Sequence, residues 1–219
     1  MRSCIILAQR NSQAYCLLSL NTMGLHRLFS TPVWQFECPS EFKGEISKIT
    51  PILLGLRDLQ SDQGKSVRNG WRLNNPLKIK GLEPIDAYLN KLCGSVLHAT
   101  GMPLDRPYSL SSWTNLHDQH GYNALHHHGS ALFSGVLYLS TPPGSGELRL
   151  RDPRPALGYI TRPDPPAGQN AHFYPSEYFV IKPSVGLSVV FPGWLEHSVE
   201  SSNTGGEPRL SVAFNLTIP

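Results

Sequence analysis

The stretch Arg209-Leu210-Ser211-Val212-Ala213-Phe214-Asn215-Leu216 alternates from end to end. Successive side chains of a strand point to opposite faces, so Leu210, Val212, Phe214 and Leu216 share one face and Arg209, Ser211, Ala213 and Asn215 the other. The apolar face suits a core. The opposite face sets a guanidinium and a hydroxyl two residues apart, which can hold a carboxylate through a forked, charge-assisted pair and one further hydrogen bond. A surface Arg on an edge strand is the plainer reading of the same residues.

What lies upstream decides between them. Phe191-Pro192-Gly193-Trp194-Leu195-Glu196 leads into His197, and Gly205-Gly206 separates that histidine from Arg209. A histidine-bearing strand, a Gly-rich turn and a returning Arg-x-Ser strand predict a hairpin with a metal ligand and an anion clamp side by side. Trp194 is expected to support His197 from the core.

Nine histidines are present, and five of them fall between His117 and His128. In extended chain, His126 and His128 point to one face and His127 to the other. Two imidazoles at i and i+2 make a first pair of metal ligands, to be completed from another strand. Imidazole suits zinc, iron, copper and nickel alike. A solvated polar turn at the mouth of a sheet is the alternative. His117, Asp118 and His120 form a competing cluster whose spacing and polar flanks read as a loop.

Around these motifs the chain is mainly β. Ser109 to Leu116, Phe133 to Ser140, Glu147 to Arg151, Tyr178 to Lys182, Leu187 to Phe191 and Arg209 to Ile218 read as strands, punctuated by Pro142-Pro143-Gly144, Pro183 to Gly186 and Pro192-Gly193. Two helices precede them. Ser40 caps a segment whose Phe42, Ile46 and Ile49 keep helical spacing until Pro51 kinks or ends it. Pro84 opens a second, with Ile85, Tyr88, Leu89, Leu92, Cys93, Val96 and Leu97 in one stripe that ends before Gly101 and Pro103. Short strands after two helices predict an antiparallel sandwich or open barrel with the helices packed outside. Asp152 to Ser176 is Pro-rich and aperiodic, either a binding loop or a surface excursion without a role.

Length and composition bound the rest. The 219 residues suffice for one domain with its own core, and 40% apolar with 16% charged residues is a globular balance. The longest wholly apolar runs are four or five residues, such as Cys4 to Ala8, far short of the roughly 20 a bilayer requires. Lys and Arg number 19 against 16 Asp and Glu, but Arg2, Arg10 and Arg27 lie in an acid-free start of 36 residues, so the remainder is balanced at 16 each. A body without a basic excess gives no reason to expect a nucleic-acid partner. Cys4, Cys16, Cys38 and Cys93 are dispersed, as thiols of a reducing compartment are, which points to the cytoplasm. Residues 1–27 are expected to be an extension, either disordered or an organellar targeting segment. Residues 28–219 are expected to form a single domain, with a helical part over about 40–101 and a β core over about 108–219.

The phrases Asn123-x-x-His126-x-His128-Gly129-Ser130, Ser134-Gly135-Val136-Leu137-Tyr138, Phe191-Pro192-x-Trp194-Leu195-x-His197 and Arg209-x-Ser211-x-x-Phe214-Asn215 occur in that order. Gly146-Glu147-Leu148 and Asp152-Pro153-Arg154 fall between them, with fainter echoes at Leu28-Phe29-x-Thr31-Pro32 and Gly70-Trp71. Together they resemble the 2-oxoglutarate- and iron(II)-dependent oxygenases, most closely a poorly characterised family of about this length. The resemblance runs from about residue 28 to the end. It implies a double-stranded β-helix, the jelly-roll barrel. It implies Fe(II) on His126, His128 and His197, with open positions for 2-oxoglutarate and O2. The far carboxylate of 2-oxoglutarate would rest on Arg209 and Ser211. Decarboxylation would give succinate and carbon dioxide, with hydroxylation of a second substrate as the usual outcome.

One departure bears on the ligand set. The superfamily's usual first motif is His-x-Asp or His-x-Glu, and here His128 stands at the third position. The resulting face is all histidine and one negative charge short. A register of His127-x-Gly129 would instead leave a coordination position for water or halide. Trp113 and Asn115 share a strand face, where they would line the pocket or orient the keto acid. Tyr138 is a candidate pocket hydroxyl, although a buried tyrosine needs only one partner to be structural.

Two other classes compete with an oxygenase. Three histidines on a β scaffold can hold zinc and activate water in a hydrolase or hydratase, although such an enzyme has no need of the Arg209–Ser211 clamp. A non-catalytic binding descendant of the fold would tolerate the missing carboxylate but has no reason to keep the histidines and the Arg. The substrate, a small molecule or a protein side chain, is not encoded legibly, and neither is the oligomeric state.

Overall fold

The computed structural model describes residues 5–10, 13–17, 29–57, 66–103, 107–154 and 177–218, with side chains from residue 29 onward. Most of the Pro-rich stretch, residues 155–176, lies outside the described residues. The chain divides into two compact units, Met1–Thr31 and Pro32–Pro219. In the first, β1 (Ile5–Arg10) and β2 (Gln13–Leu17) pair antiparallel, with Ile5 opposite Leu17 and Arg10 opposite Gln13.

The second unit begins with β3 (Trp34–Glu37), α1 (Ser40–Arg57), β4 (Val67–Asn74), a 3-10 turn at Pro76–Lys78 and α2 (Glu83–Ala99). The β core follows as β5 (Ser109–His126), β6 (Phe133–Ser140), β7 (Leu148–Arg151), β8 (Tyr178–Ile181), β9 (Leu187–Pro192), β10 (His197–Val199) and β11 (Arg209–Thr217). The strands run in the order β3-β9-β6-β11-β5-β10-β7-β8, with β4 also on β5, and all the pairings are antiparallel.

The alternation of β11 divides the protein into two cores. Leu210, Val212, Phe214 and Leu216 are buried in one cluster with Ile46, Ile49 and Leu53 of α1 and Ile85, Leu89 and Val96 of α2. Arg209, Ser211 and Ala213 face the other way, into a cavity. Neighbouring strands obey the same parity. Phe133, Leu137 and Leu139 of β6 join the helix side, while Val136 and Tyr138 join a second cluster with Val189 and Phe191. Gly135 lets the layers close up, since a Cβ there would stand 2.3 Å from Phe214 Cζ and 2.8 Å from the Val189 carbonyl oxygen. Residues of β5, β6, β7, β9, β10 and β11 converge on one cavity, so the sheet curls around it.

Of the two outcomes expected at Pro51, a kink or an end, helix α1 does not show the end. It runs through Pro51 to Arg57. Proline removes one backbone donor, but Ile46, Ile49 and Leu53 stay on one buried stripe, and that packing carries the helix past it.

Strand β5 is longer than its apolar alternation suggests, and this positions the site. One edge pairs with β4. The other edge pairs first with β11, over Ser109 to His117, and then with β10, over Asn123 to His126. A bend at His120 (φ 62°) and Gly121 separates the two halves, against a matching irregularity at Asn69 (φ 47°). Gly121 is required there, because a Cβ would lie 2.4 Å from the Asn69 carbonyl oxygen. The predicted β10–β11 hairpin therefore does not form. The two strands lie one after the other along the same edge of β5, which supplies a longer pairing surface than either offers the other.

Candidate metal centre

His126 ends β5 and His197 begins β10, and the two are register partners across that ladder. His128 lies two residues past the strand, where its backbone N–H donates to the Gly193 carbonyl (2.7 Å). The three imidazoles converge. Ring centroids are 4.3 Å apart for His126–His197, 5.0 Å for His126–His128 and 5.2 Å for His128–His197, and one ligand atom from each lies within 4.8 Å of the others. His127, between them, is exposed.

Two rings are held by the backbone in one tautomer. His126 Nδ1 lies 2.7 Å from the Ala124 carbonyl and His197 Nδ1 2.9 Å from the Leu195 carbonyl. A carbonyl only accepts, so both Nδ1 atoms carry the proton and both Nε2 atoms keep a lone pair. Burial, aided by the neighbouring imidazoles, lowers the pKa of His197 to about 3 and of His128 to about 4, and that of His126 falls for the same leading reason. Neutral imidazoles with aligned lone pairs are the form a divalent ion takes. Donor chemistry and spacing thus fit a borderline ion such as iron, zinc, nickel or copper.

Beside the histidines is a small cavity, lined by Trp113, Asn115, Tyr138, Arg209 and Ser211 among others. No Asp or Glu lines it among the described residues. Arg209 is 1% exposed and no carboxylate pairs with it there. Its Nη1 donates to His117 Nδ1 at 2.8 Å, and its carbon Cζ sits 5.0 Å from the centre of the Tyr138 ring. Arg209 Nε, Ser211 Oγ and Asn115 Oδ1 are buried without hydrogen-bond partners, and the buried Tyr138 hydroxyl has the Arg209 guanidinium beside it and its own proton left to give. A buried guanidinium without a countercharge costs several kcal/mol, and each orphaned polar atom adds about 1–3 kcal/mol. A carboxylate would accept from Arg209, Ser211 and Tyr138 together, while Asn115 Oδ1, itself an acceptor, would need a different donor. The cavity is built for an anion.

The other sequence candidates fall elsewhere. His117, Asp118 and His120 diverge: His117 points inward to Arg209, Asp118 receives a two-pronged bond from Arg57 (2.6 and 2.8 Å), and His120 lies at the bend. Trp194 is 50% exposed, so it does not support His197 from the core; Phe191 does, with ring centroids 4.7 Å apart. Arg151 pairs with Glu196 and Arg154 with Asp152.

Arg72 of β4 was not anticipated. It is 8% exposed, lies over the Trp113 ring at 4.5 Å and donates from Nε to Asn74 Oδ1. Its charge is among the influences lowering the pKa of His126 and His128. Trp71 and Leu73 alternate around it, but Asn69-Gly70 breaks the pattern before it is long enough to read as a strand.

Residues 111–215 match the family model described as "Putative 2OG-Fe(II) oxygenase". The matched segment holds the three histidines, Asn115, Tyr138, Arg209 and Ser211, while Arg72 lies before it. No curated protein matches the chain in sequence. Among solved structures, a prolyl-4-hydroxylase from Pseudomonas putida superposes with a TM-score of 0.61 at 15% identity, over 88% of this chain and 95% of that one. A prolyl hydroxylase from Trichoplax adhaerens, solved with a hypoxia inducible factor peptide fragment, gives 0.60 at 12% identity over 87% and 86%. HygX from Streptomyces hygroscopicus, solved with nickel and 2-oxoglutarate, gives 0.57 at 15% over 86% and 83%. At such identities the likeness is one of fold, the double-stranded β-helix of 2-oxoglutarate oxygenases. Among the described residues, no helix is long and apolar enough to cross a membrane.

Proposed function

We propose that this protein is an iron(II)- and 2-oxoglutarate-dependent oxygenase that couples decarboxylation of the keto acid to hydroxylation of a C–H bond in a second substrate. One observation carries the reading: a buried, carboxylate-free Arg209 shares a cavity with three neutral, converging histidines. A zinc hydrolase has use for the histidines alone and would leave the guanidinium unexplained.

His126, His128 and His197 would hold the ion. Iron(II) bound there supplies open coordination positions for the keto acid and for dioxygen, together with the redox chemistry of oxidative decarboxylation. The Ala124 and Leu195 carbonyls keep the His126 and His197 rings aimed inward. Arg209 and Ser211, two residues apart on the inner face of β11, receive the far carboxylate of 2-oxoglutarate. Tyr138, opposite Ser211 in the β6–β11 register, donates its hydroxyl proton to the same group. Asn115, opposite Ser211 on β5, offers an amide toward the middle of the keto acid. Phe191 packs against His197 and Trp113 against His128, which walls one side of the cluster with aromatic surface.

The assay is release of succinate from 2-oxoglutarate by iron-loaded protein with a reductant present. Slow release without a second substrate is expected, abolished by an iron chelator and by Arg209→Ala. Release that is indifferent to the chelator, or none at any iron concentration, would refute the reading.

A further inference from the structure

Among the described residues, His117 is the one buried histidine outside the three-histidine cluster, with 0% exposure and a position opposite Arg209 in the β5–β11 register. An arginine has donors only, so at 2.8 Å its Nη1–H gives the proton and His117 Nδ1 accepts. That bond needs a neutral ring, and burial followed by the Arg209 charge keeps it so, with the pKa down to about 3. The bond at Nη1 restrains the guanidinium, and Nε has no partner, in a residue that lines the cavity together with Ser211. Any carboxylate in this position would repel the incoming anion by satisfying Arg209 internally. A neutral acceptor orients the cation and leaves its charge intact.

We propose that His117 is a positioning residue that holds Arg209 for the far carboxylate of a dicarboxylate keto acid, and so sets the preference for 2-oxoglutarate over 2-oxo acids with one carboxylate. The inference rests on the reading of the cavity as a 2-oxoglutarate site. His117 does not touch the keto acid; it acts through the guanidinium. The selectivity of the site is thereby encoded on β5, 92 residues away from the clamp itself.

The test measures binding of 2-oxoglutarate and of pyruvate, which has the 2-oxo-carboxylate end but no second carboxylate, to the full-length protein loaded anaerobically with iron(II). His117→Leu removes the acceptor and should weaken 2-oxoglutarate by roughly tenfold or more, with pyruvate and iron affinities unchanged. His117→Asn restores a neutral acceptor and should recover most of the loss. Should the Leu variant fail to fold, His117→Asp, nearly isosteric with Asn, carries the test. Its carboxylate would neutralise Arg209 and weaken 2-oxoglutarate selectively. Equal losses for both keto acids, or an Asn variant as impaired as the Leu or Asp one, would show a merely structural role and overturn the proposal. Wild-type protein that bound no 2-oxoglutarate would instead overturn the oxygenase reading beneath it.

Discussion

His126 and His197, 71 positions apart in sequence, face each other as register partners across β5 and β10, with ring centroids 4.3 Å apart. Their aim is fixed by the main chain, because each Nδ1 is tied to the carbonyl two residues before it. The facing pair is thus a product of strand register, and His128 joins it from the segment beyond β5.

Removing His197 should therefore cost most of the metal affinity. His197→Ala takes away one of three nitrogens and its backbone-held orientation, and should weaken iron or nickel binding by well over tenfold. Calorimetric titration with nickel(II) checks this. His127→Ala, an exposed neighbour outside the cluster, should bind as wild type.

Arg209→Ala should separate the co-substrate from the metal. The variant loses the charge that opposes the anion, so 2-oxoglutarate affinity should fall by about 100-fold, the equivalent of about 3 kcal/mol. Nickel affinity should hold. Arg209→Lys should recover only part of the loss, because an ammonium cannot present the fork.

Acid should destabilise the metal-free protein. The pKa values of His117 and His197 are lowered in the fold to about 3, below the 6.5 of an unfolded chain. Between those values the unfolded state binds more protons, so stability falls as pH drops below about 6.5 and the loss levels off near pH 3. Each ring should cost roughly 2 kcal/mol at pH 5 relative to pH 7.5. Melting temperatures measured from pH 7.5 to 5 should decline, and His117→Asn should flatten the slope.

Gly135→Ala tests the approach of β6 to its neighbours. Its Cβ would lie 2.3 Å from Phe214 Cζ and 2.8 Å from the Val189 carbonyl oxygen, and only the ring can give way. A loss of about 1–3 kcal/mol is expected, read as a lowered denaturation midpoint with an unchanged slope.

The parts legible in the sequence were those in which one strand reports on itself. The alternation from Arg209 to Leu216 assigned both faces of β11, because one packs against helices and the other lines the cavity. The i, i+2 spacing of His126 and His128 held although only His126 lies within the strand. What failed depended on which strand pairs with which. The apolar pattern of β5 ends at Leu116, but the strand continues through polar residues because β4 and β10 supply its hydrogen bonds. Strand β10 is three residues long, too short to carry a pattern, so its preference for β5 and β7 over β11 was invisible. His117 reads locally as part of a polar loop, and its role follows only from the β5–β11 register.

The most direct test is anaerobic titration of the purified protein with iron(II) and then 2-oxoglutarate, followed in the visible range. Chelation of iron by the keto acid should produce a metal-to-ligand charge-transfer band in the wild type. At the same concentrations the band should be absent from His197→Ala and from Arg209→Ala. No band in the wild type, with zinc held tightly in place of iron, would contradict the account and leave three histidines that activate water.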